Sequence, residues 1–154
     1  MPTLTTTILE TLSIEGQRYD SQRIKSVENI TQVLKTVVTV NETESVLLTF
    51  ADDAVGVGTV DRSSVAYLRI TNLDETDYVT LAFKDGTASV YAVRVDAGSS
   101  FIVPISNTTN ENPLMFATDD NANVGTMVEI DTITADSSSG SIEMEVMMAL
   151  NATT

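Results

Sequence analysis

Hydrophobic and polar residues alternate along much of this chain, and the pattern is clearest at its start. In residues 3–14 the even positions Leu4, Ile8, Leu12 and Ile14 are apolar, while most odd positions are Thr or Ser. A period of two residues is typical of a β-strand with one buried face and one solvent-exposed face. The pattern therefore predicts a first strand whose even positions are buried.

Further apolar runs follow at intervals of about 8–12 residues, each bounded by residues typical of turns. Asp85-Gly86 predicts a hairpin between two of them, because glycine tolerates a positive φ. This spacing predicts a single all-β domain over residues 1–154, an antiparallel β-sandwich of jelly-roll-like topology. The predicted strands cover residues 34–40, 45–51, 65–71, 78–83, 89–95, 100–104, 113–117, 126–133 and 141–150.

Residues 20–37 allow two interpretations. Their apolar positions are three or four residues apart, as in an amphipathic helix capped by Asp20 or Ser21. The same residues also fit two strands separated by a turn at 28–31. The uniformly β character of the flanking segments favours the two strands.

The segment "VRVDAGSSFIVP", residues 93–104, predicts a hairpin of two short strands joined by a tight turn. Gly98 occupies the position of the turn that suits a positive φ. Nothing in the segment suggests chemistry, so we interpret it as architecture.

Charge is distributed unevenly. The net charge is −14, and after Arg94 nine acidic residues follow without a basic one. This balance opposes binding to nucleic acid or to an anionic membrane, because phosphate contacts require Lys and Arg. An acidic surface also keeps a protein soluble, which is the simpler interpretation. The sharper hypothesis is an acidic, water-facing end and a neutral docking end that contains Arg18, Tyr19, Arg23 and Lys25.

The residue types of most catalytic and metal sites are missing. The chain has no Cys and no His, which excludes Ser–His and Cys–His nucleophiles and the usual nitrogen and sulfur ligands of metals. Glu143 and Glu145 would lie about 7 Å apart on one strand face, an arrangement more typical of a solvated face than of an acid–base pair. Residues 119–125 begin like a calcium loop but lack its later Gly and Glu. We predict no catalytic residue, no metal and no cofactor.

The central part of the chain resembles a known group of proteins. Residues 67–104, "YLRITNLDETDYVTLAFKDGTASVYAVRVDAGSSFIVP", are similar to a segment that recurs in small all-β virion proteins of tailed bacteriophages. There, a strand of the type "LRI.N" leads through an acidic loop to "YVTL", and a strand like "AVRVDAGSSFIVP" follows a hairpin. The preceding residues 30–50 are similar in style to the same group.

The resemblance implies a non-enzymatic structural protein, made in the host cytoplasm and located on the capsid surface of the virion. We expect a capsid decoration (cement) protein that binds between subunits of the major capsid protein and stabilises the shell. A homotrimer would multiply weak contacts through avidity. The alternatives are a tail, neck or fibre component of a phage particle, or a carbohydrate-binding module.

Overall fold

The structure is a computed structural model that describes residues 2–52, 58–86, 88–103, 116–118 and 127–151. These residues form thirteen β-strands and one short 3-10 turn at Arg62–Ser64. None of the described segments is a helix long and apolar enough to cross a membrane. The strands are β1 (Thr3–Ile14), β2 (Gln17–Glu28), β3 (Ile30–Val40), β4 (Ser45–Ala51), β5 (Thr59–Asp61), β6 (Val65–Asn72), β7 (Val79–Asp85), β8 (Ala88–Val95), β9 (Ser100–Val103), β10 (Phe116–Thr118), β11 (Met127–Glu129), β12 (Thr132–Ser137) and β13 (Ile142–Asn151).

Two sheets pack face to face. One has the strand order β3-β13-β6-β9, and the other has the order β5-β4-β12-β7-β8. If β3, β4, β6, β7, β8, β9, β12 and β13 are numbered one to eight along the chain, the two orders become 1-8-3-6 and 2-7-4-5. This is the strand order of a jelly roll, with β5 added in parallel at the edge next to β4. The prediction of an antiparallel β-sandwich with jelly-roll-like topology is confirmed.

The core between the sheets follows the alternation of each strand. In β7, Val79, Leu81 and Phe83 are fully buried, while the residues between them are half-buried. The Phe83 ring stacks on Tyr91 of the same sheet, with ring centroids 4.3 Å apart. It also meets Phe101 of the opposite sheet at 5.6 Å. Phe83 therefore joins the two layers.

Residues 20–37 are two strands, as favoured, and not a helix. β2 ends at Glu28 and β3 begins at Ile30, and between them Asn29 adopts a φ of 62°. Asn tolerates this left-handed conformation better than most residues, since its side chain can bond locally. The chain thus changes direction at one residue without leaving β-structure.

Two predictions of strand arrangement were wrong. Residues 126–133 are not one strand, because β11 ends at Glu129 and β12 begins at Thr132. In the gap, the Asp131 amide donates to the Lys84 carbonyl, and the Asp131 carbonyl accepts from the Phe50 amide. These contacts draw the chain out of a continuous strand.

Residues 119–125, whose spacing suggested the start of a calcium loop, lie outside the described residues.

The second wrong prediction concerns "VRVDAGSSFIVP". β8 and β9 do not pair with each other, because β8 belongs to one sheet and β9 to the other. Gly98 does adopt a positive φ of 66°, and the Ser99 amide donates to the Asp96 carbonyl at 3.0 Å. The turn carries the chain across the core, so that Val95 and Val103 are buried from opposite layers.

Arg62 is a buried cation that connects several chain segments. Its Nε donates to the Ile130 carbonyl at 3.2 Å, and Nη2 donates to Asp131 at 2.7 Å. Nη1 donates to both Asp52 and Glu129. The surrounding carboxylates compensate for the loss of hydration of the guanidinium.

The acidic C-terminal third does not form a separate water-facing end. β12 and β13 are inner strands of the two sheets, and most of their alternate side chains are buried. Several acidic residues of this third form ion pairs within the fold. Glu129 and Asp131 pair with Arg62. Glu145 pairs with Lys35 and Arg69. The described strands β12 and β13 of the acidic C-terminal third therefore belong to the two sheets of the sandwich.

The role of Phe83 predicts a large loss of stability on truncation. Phe83→Ala should lower the free energy of unfolding by about 3–5 kcal/mol, because a cavity replaces the ring at the centre of the core. Val46→Thr is the control, since Val46 is 62% exposed, and it should change stability by less than about 0.5 kcal/mol. Denaturant unfolding measures both, and equal midpoints for the two variants would contradict the assignment of the core.

Candidate functional site

A two-stranded antiparallel ribbon stands apart from the two sheets of the sandwich. β1 and β2 pair only with each other, and every residue from Thr7 to Ser26 is exposed. At about 3.4 Å per residue, this exposed part projects roughly 25 Å. We call residues 3–28 the β-arm.

The local sequence explains why the β-arm forms a regular hairpin. Its two-residue loop is Glu15-Gly16, with φ values of 49° and 80°. Two successive positive φ angles are typical of the type I′ turn, whose twist matches that of the strands that it joins. Twelve residue pairs then continue without a bulge from Ile14–Gln17 to Thr3–Glu28.

The base of the β-arm is fixed by a small apolar cluster outside the main core. Val27, which is 4% exposed, packs with Ile30, Tyr67 and Ala149, and Leu4 covers the same cluster. Tyr67 and Ala149 are paired neighbours on β6 and β13 and point away from the main core. The arm is therefore held on the outer surface of the β3-β13-β6-β9 sheet.

Directly paired residues lie on the same face of a ribbon, so the register divides the β-arm into two faces. The sheet-side face includes Leu4 and Val27 and is turned towards the sandwich at its base. The opposite face is called the far face. The sheet-side face carries Leu4, Thr6, Ile8, Glu10, Leu12, Ile14, Gln17, Tyr19, Ser21, Arg23, Lys25 and Val27. The far face carries Thr3, Thr5, Thr7, Leu9, Thr11, Ser13, Arg18, Asp20, Gln22, Ile24, Ser26 and Glu28.

The prediction that the even positions of residues 3–14 are buried was wrong. Leu4 is half-buried, but Ile8, Leu12 and Ile14 are exposed. The alternation does produce a strand with one apolar face, as expected. That face stays uncovered because the ribbon extends beyond the sheet on which its base packs.

The structure brings together three of the four residues predicted for docking. Tyr19, Arg23 and Lys25 lie on the sheet-side face, which they share with the exposed Ile8 and other apolar residues. Arg18 lies on the far face instead, where its Nε donates to Asp20 at 2.9 Å. The four residues therefore lie on one strand, β2, but on two different faces of the arm.

The charges of the β-arm differ from those of the rest of the chain. Residues 3–28 carry three basic and four acidic groups, a net charge of −1, against five basic and eighteen acidic groups elsewhere, a net charge of −13. Each of the five basic residues outside the arm forms an ion pair. Arg23 and Lys25 form no ion pair with any described residue. They are the cations that remain available to a partner.

The exposed apolar residues of the arm were not recognised from the sequence as functional. Ile8, Leu12 and Ile14 were assigned to the core, and Ile24 was not singled out for docking. No signal in the alternation could have identified them, because a strand has the same pattern whether a partner layer belongs to its own chain or to another molecule.

Of the two carboxylates Glu143 and Glu145 on β13, Glu145 is held in ion pairs with two cations of the fold. Glu145 accepts from Lys35 at 3.0 Å and also from Arg69, and the Lys35 hydrogen bond is the main cause of a lowered pKa of the Glu145 carboxyl. A general acid at neutral pH needs the opposite, a raised pKa. Glu143 lies exposed beside it.

Two further locations were searched for chemistry. A cleft of about 340 Å³ between β3, β5 and β13 has a mixed lining that includes Leu34, Met148 and Gln32, and Asp61 is its one ionisable lining residue within the described chain. No group of three or more His, Cys, Asp or Glu side chains among the described residues is arranged to hold a metal ion. The β-arm is therefore the strongest candidate for function.

Comparison with known proteins adds no assignment. No family model, curated protein or solved structure matches this chain at a significant level.

The isolated ribbon predicts rapid hydrogen exchange in the β-arm. Backbone amides from Thr7 to Ser26 should exchange much faster than those of β13, because a two-stranded hairpin without a covering layer is marginally stable in water. Hydrogen–deuterium exchange with mass spectrometry at low micromolar protein concentration measures the difference. Equal protection of the two segments would show that the arm is covered in the free protein.

The ion pairs of Glu145 predict a dependence of stability on pH. A carboxylate with a lowered folded-state pKa stabilises the fold above its ordinary pKa of 4.5, and this contribution is lost as the pH falls through the folded-state value. Glu145→Gln should therefore be less stable than the wild type at pH 7, and the difference should shrink as the pH falls below 4.5. Unfolding by denaturant across this range tests it, with Glu143→Gln as the control that changes little. A difference that does not vary with pH would contradict the assignment.

Proposed function

We propose that this chain is a non-enzymatic structural protein of a virus particle, a capsid decoration protein that binds between subunits of the major capsid protein and stabilises the shell. The observation that supports this most is the β-arm, whose residues 7–26 are all exposed and present apolar side chains and two cations that form no ion pair with any described residue. In this function the sheet-side face of the arm is the docking surface. The sandwich is the rigid body that carries it.

The apolar residues of the sheet-side face supply the free energy for docking. Ile8, Leu12, Ile14 and Tyr19 are exposed along the projecting part of one face. Complete burial of an aliphatic side chain of this size is worth about 1.5–3 kcal/mol. A continuous exposed set of this kind is typical of an interaction surface and unfavourable for a protein that stays free in solution. A projecting arm of about 25 Å can also enter a groove between neighbouring subunits, which a flat docking face could not do.

Arg23 and Lys25 select the partner. Two cations without carboxylate partners of their own require acidic or carbonyl groups on the docking surface, and their charge speeds the encounter with an acidic site. The net charge of −13 on the remainder of the chain opposes contact with the packaged nucleic acid. Together these charges fit a position on the outside of a shell.

The fold is compatible with this function but does not prescribe it. Jelly-roll sandwiches occur in viral capsid proteins and also in lectins and cupins. Sugar sites commonly use an open aromatic ring. One ring face of Tyr78 is occupied by the Arg94 guanidinium at 3.9 Å, while Tyr19 on the arm is 56% exposed. The resemblance of residues 67–104 to phage virion proteins favours the structural function over carbohydrate binding.

The docking hypothesis predicts that the two free cations are needed for attachment. The double variant Arg23→Gln/Lys25→Gln should bind particles that lack this chain at least about tenfold more weakly than the wild type, a loss of about 1.4 kcal/mol. The matched control is Lys35→Gln/Arg94→Gln, which removes the same charge from two exposed but ion-paired cations of the sandwich and should bind normally. Co-sedimentation of added protein with the particles measures the binding.

Copy number separates the proposed function from its alternatives. Mass spectrometry of purified particles should find a number of copies comparable to that of the major capsid protein, or a simple fraction of it. A few copies per particle would instead indicate a tail or neck component. Absence from particles, or specific binding on a glycan array, would overturn the proposal.

A further inference from the structure

The far face of the β-arm has a compact apolar centre of its own. Leu9 is 67% exposed and Ile24 is 63% exposed, more than any large apolar residue of the sheet-side face. The register pairs Leu9 with Gln22 and Thr7 with Ile24, so Leu9 and Ile24 are diagonal neighbours within reach of each other. Hydroxyl side chains surround them, including Thr5 and Thr11. The proposed docking to a shell uses the other face and leaves this one uncovered.

We propose that the far faces of two copies of this chain stack on each other in antiparallel orientation and form a two-fold symmetric dimer. The partner is thus a second copy of the same arm. This inference goes beyond the proposed function and does not depend on it, because it uses residues of the opposite face. Two observations support a second copy as the occupant: the steric freedom of the face and its charge complementarity with itself.

The first observation is that the far face is open along its whole length. The apolar cluster at the base places the sandwich against the sheet-side face, through Leu4 and Val27. On the far face Thr3, Thr5 and Glu28 are exposed even at the base. Two antiparallel arms can therefore stack from tip to base, with one sandwich at each end and on opposite sides. The sheet-side face of each distal arm remains free in the dimer.

The second observation is that the charges of the far face complement themselves. We place the two-fold axis midway between the Thr7–Ile24 pair and the Leu9–Gln22 pair, so that the apolar residues of both copies meet at the centre. The register then brings the Ser13–Arg18 pair of one copy opposite the Thr3–Glu28 pair of the other. In antiparallel stacking β2 lies over β2, so Arg18 faces Glu28 of the second copy twice in the dimer. A cation and an anion meet at each end of the contact, and Asp20, which pairs with Arg18 of its own chain, faces Ser26 of the second copy.

The size of the contact predicts a weak dimer. A ribbon of twelve pairs is about 40 Å long and about 10 Å wide, so each copy contributes on the order of 400 Å². Stable interfaces bury about 800 Å² per partner. The dimer should therefore dissociate on dilution and form where the copies are concentrated, as neighbouring copies on one surface would be.

The decisive test uses charge reversal in trans. Arg18→Glu and Glu28→Arg should each dimerise at least about threefold more weakly than the wild type, because like charges then oppose each other at both ends. An equimolar mixture of the two variants should recover the wild-type affinity, since every facing pair in the mixed dimer has opposite charges again. Sedimentation equilibrium over about 10–1000 µM protein in 0.15 M salt measures this.

The recovery distinguishes contact across the dimer from an effect within one arm. Arg18 also pairs with Asp20 of its own chain, and mixing with Glu28→Arg restores nothing there. Failure of the mixture to recover dimerisation would overturn the proposed register.

Apolar variants of the two faces separate this inference from the proposed function. Leu9→Thr/Ile24→Thr should abolish dimerisation and leave the sandwich folded, because both residues are exposed and Thr preserves β-propensity. Ile8→Thr/Leu12→Thr is the matched control and should dimerise normally while losing attachment to particles. A protein that stays monomeric up to about 1 mM, or that forms a trimer, would overturn the dimer alone. Normal dimerisation of the wild type without its attachment to particles would overturn the proposed function alone.

Discussion

The contact of Leu4 and Val27 with Tyr67 and Ala149 determines the geometry of everything that projects from this molecule. Successive side chains of a strand point to opposite sides, so fixing one pair at the base assigns every other residue of the β-arm to a face. One face is turned towards the sandwich and carries Tyr19, Arg23 and Lys25, and the other is open along its whole length. A short apolar contact thereby produces two separate surfaces on one ribbon.

The sandwich and the β-arm have opposite physical characters. The sandwich buries Phe50 and Phe83 between its two sheets and pairs each of its basic residues with a carboxylate. The arm buries only its base, and its cross-strand hydrogen bonds have no covering layer. Because two strands alone are marginally stable in water, the arm is also the part of the chain that gains most from association. Asn29 alone connects β2 of the arm to β3 of the sandwich.

Much of the fold could be predicted from the alternation of apolar and polar residues, and the failures share one cause. The strands, their turns and the positive φ of Gly98 followed from local preferences. Which strands pair with each other did not follow from these preferences. The segment around Gly98 resembled a hairpin, yet its two strands belong to different sheets. The apolar residues Ile8 and Leu12 resembled core residues, yet they are exposed. Period-two patterning reports that a side of a strand prefers burial, and it does not report which surface covers that side.

The sequence by itself determined the all-β class, the strand-forming segments, the absence of Cys and His chemistry, and the excess of acidic groups. It also placed a docking candidate at Arg18, Tyr19, Arg23 and Lys25, because the N-terminal part of the chain is close to neutral while the C-terminal third is acidic. Only the tertiary structure decided that these residues lie on a projecting arm, that Arg18 is on the other face, and that Arg23 and Lys25 pair with no carboxylate in the described part of the chain. Whether a charge is paired or a side chain is covered depends on residues distant in the chain, which a local pattern cannot specify.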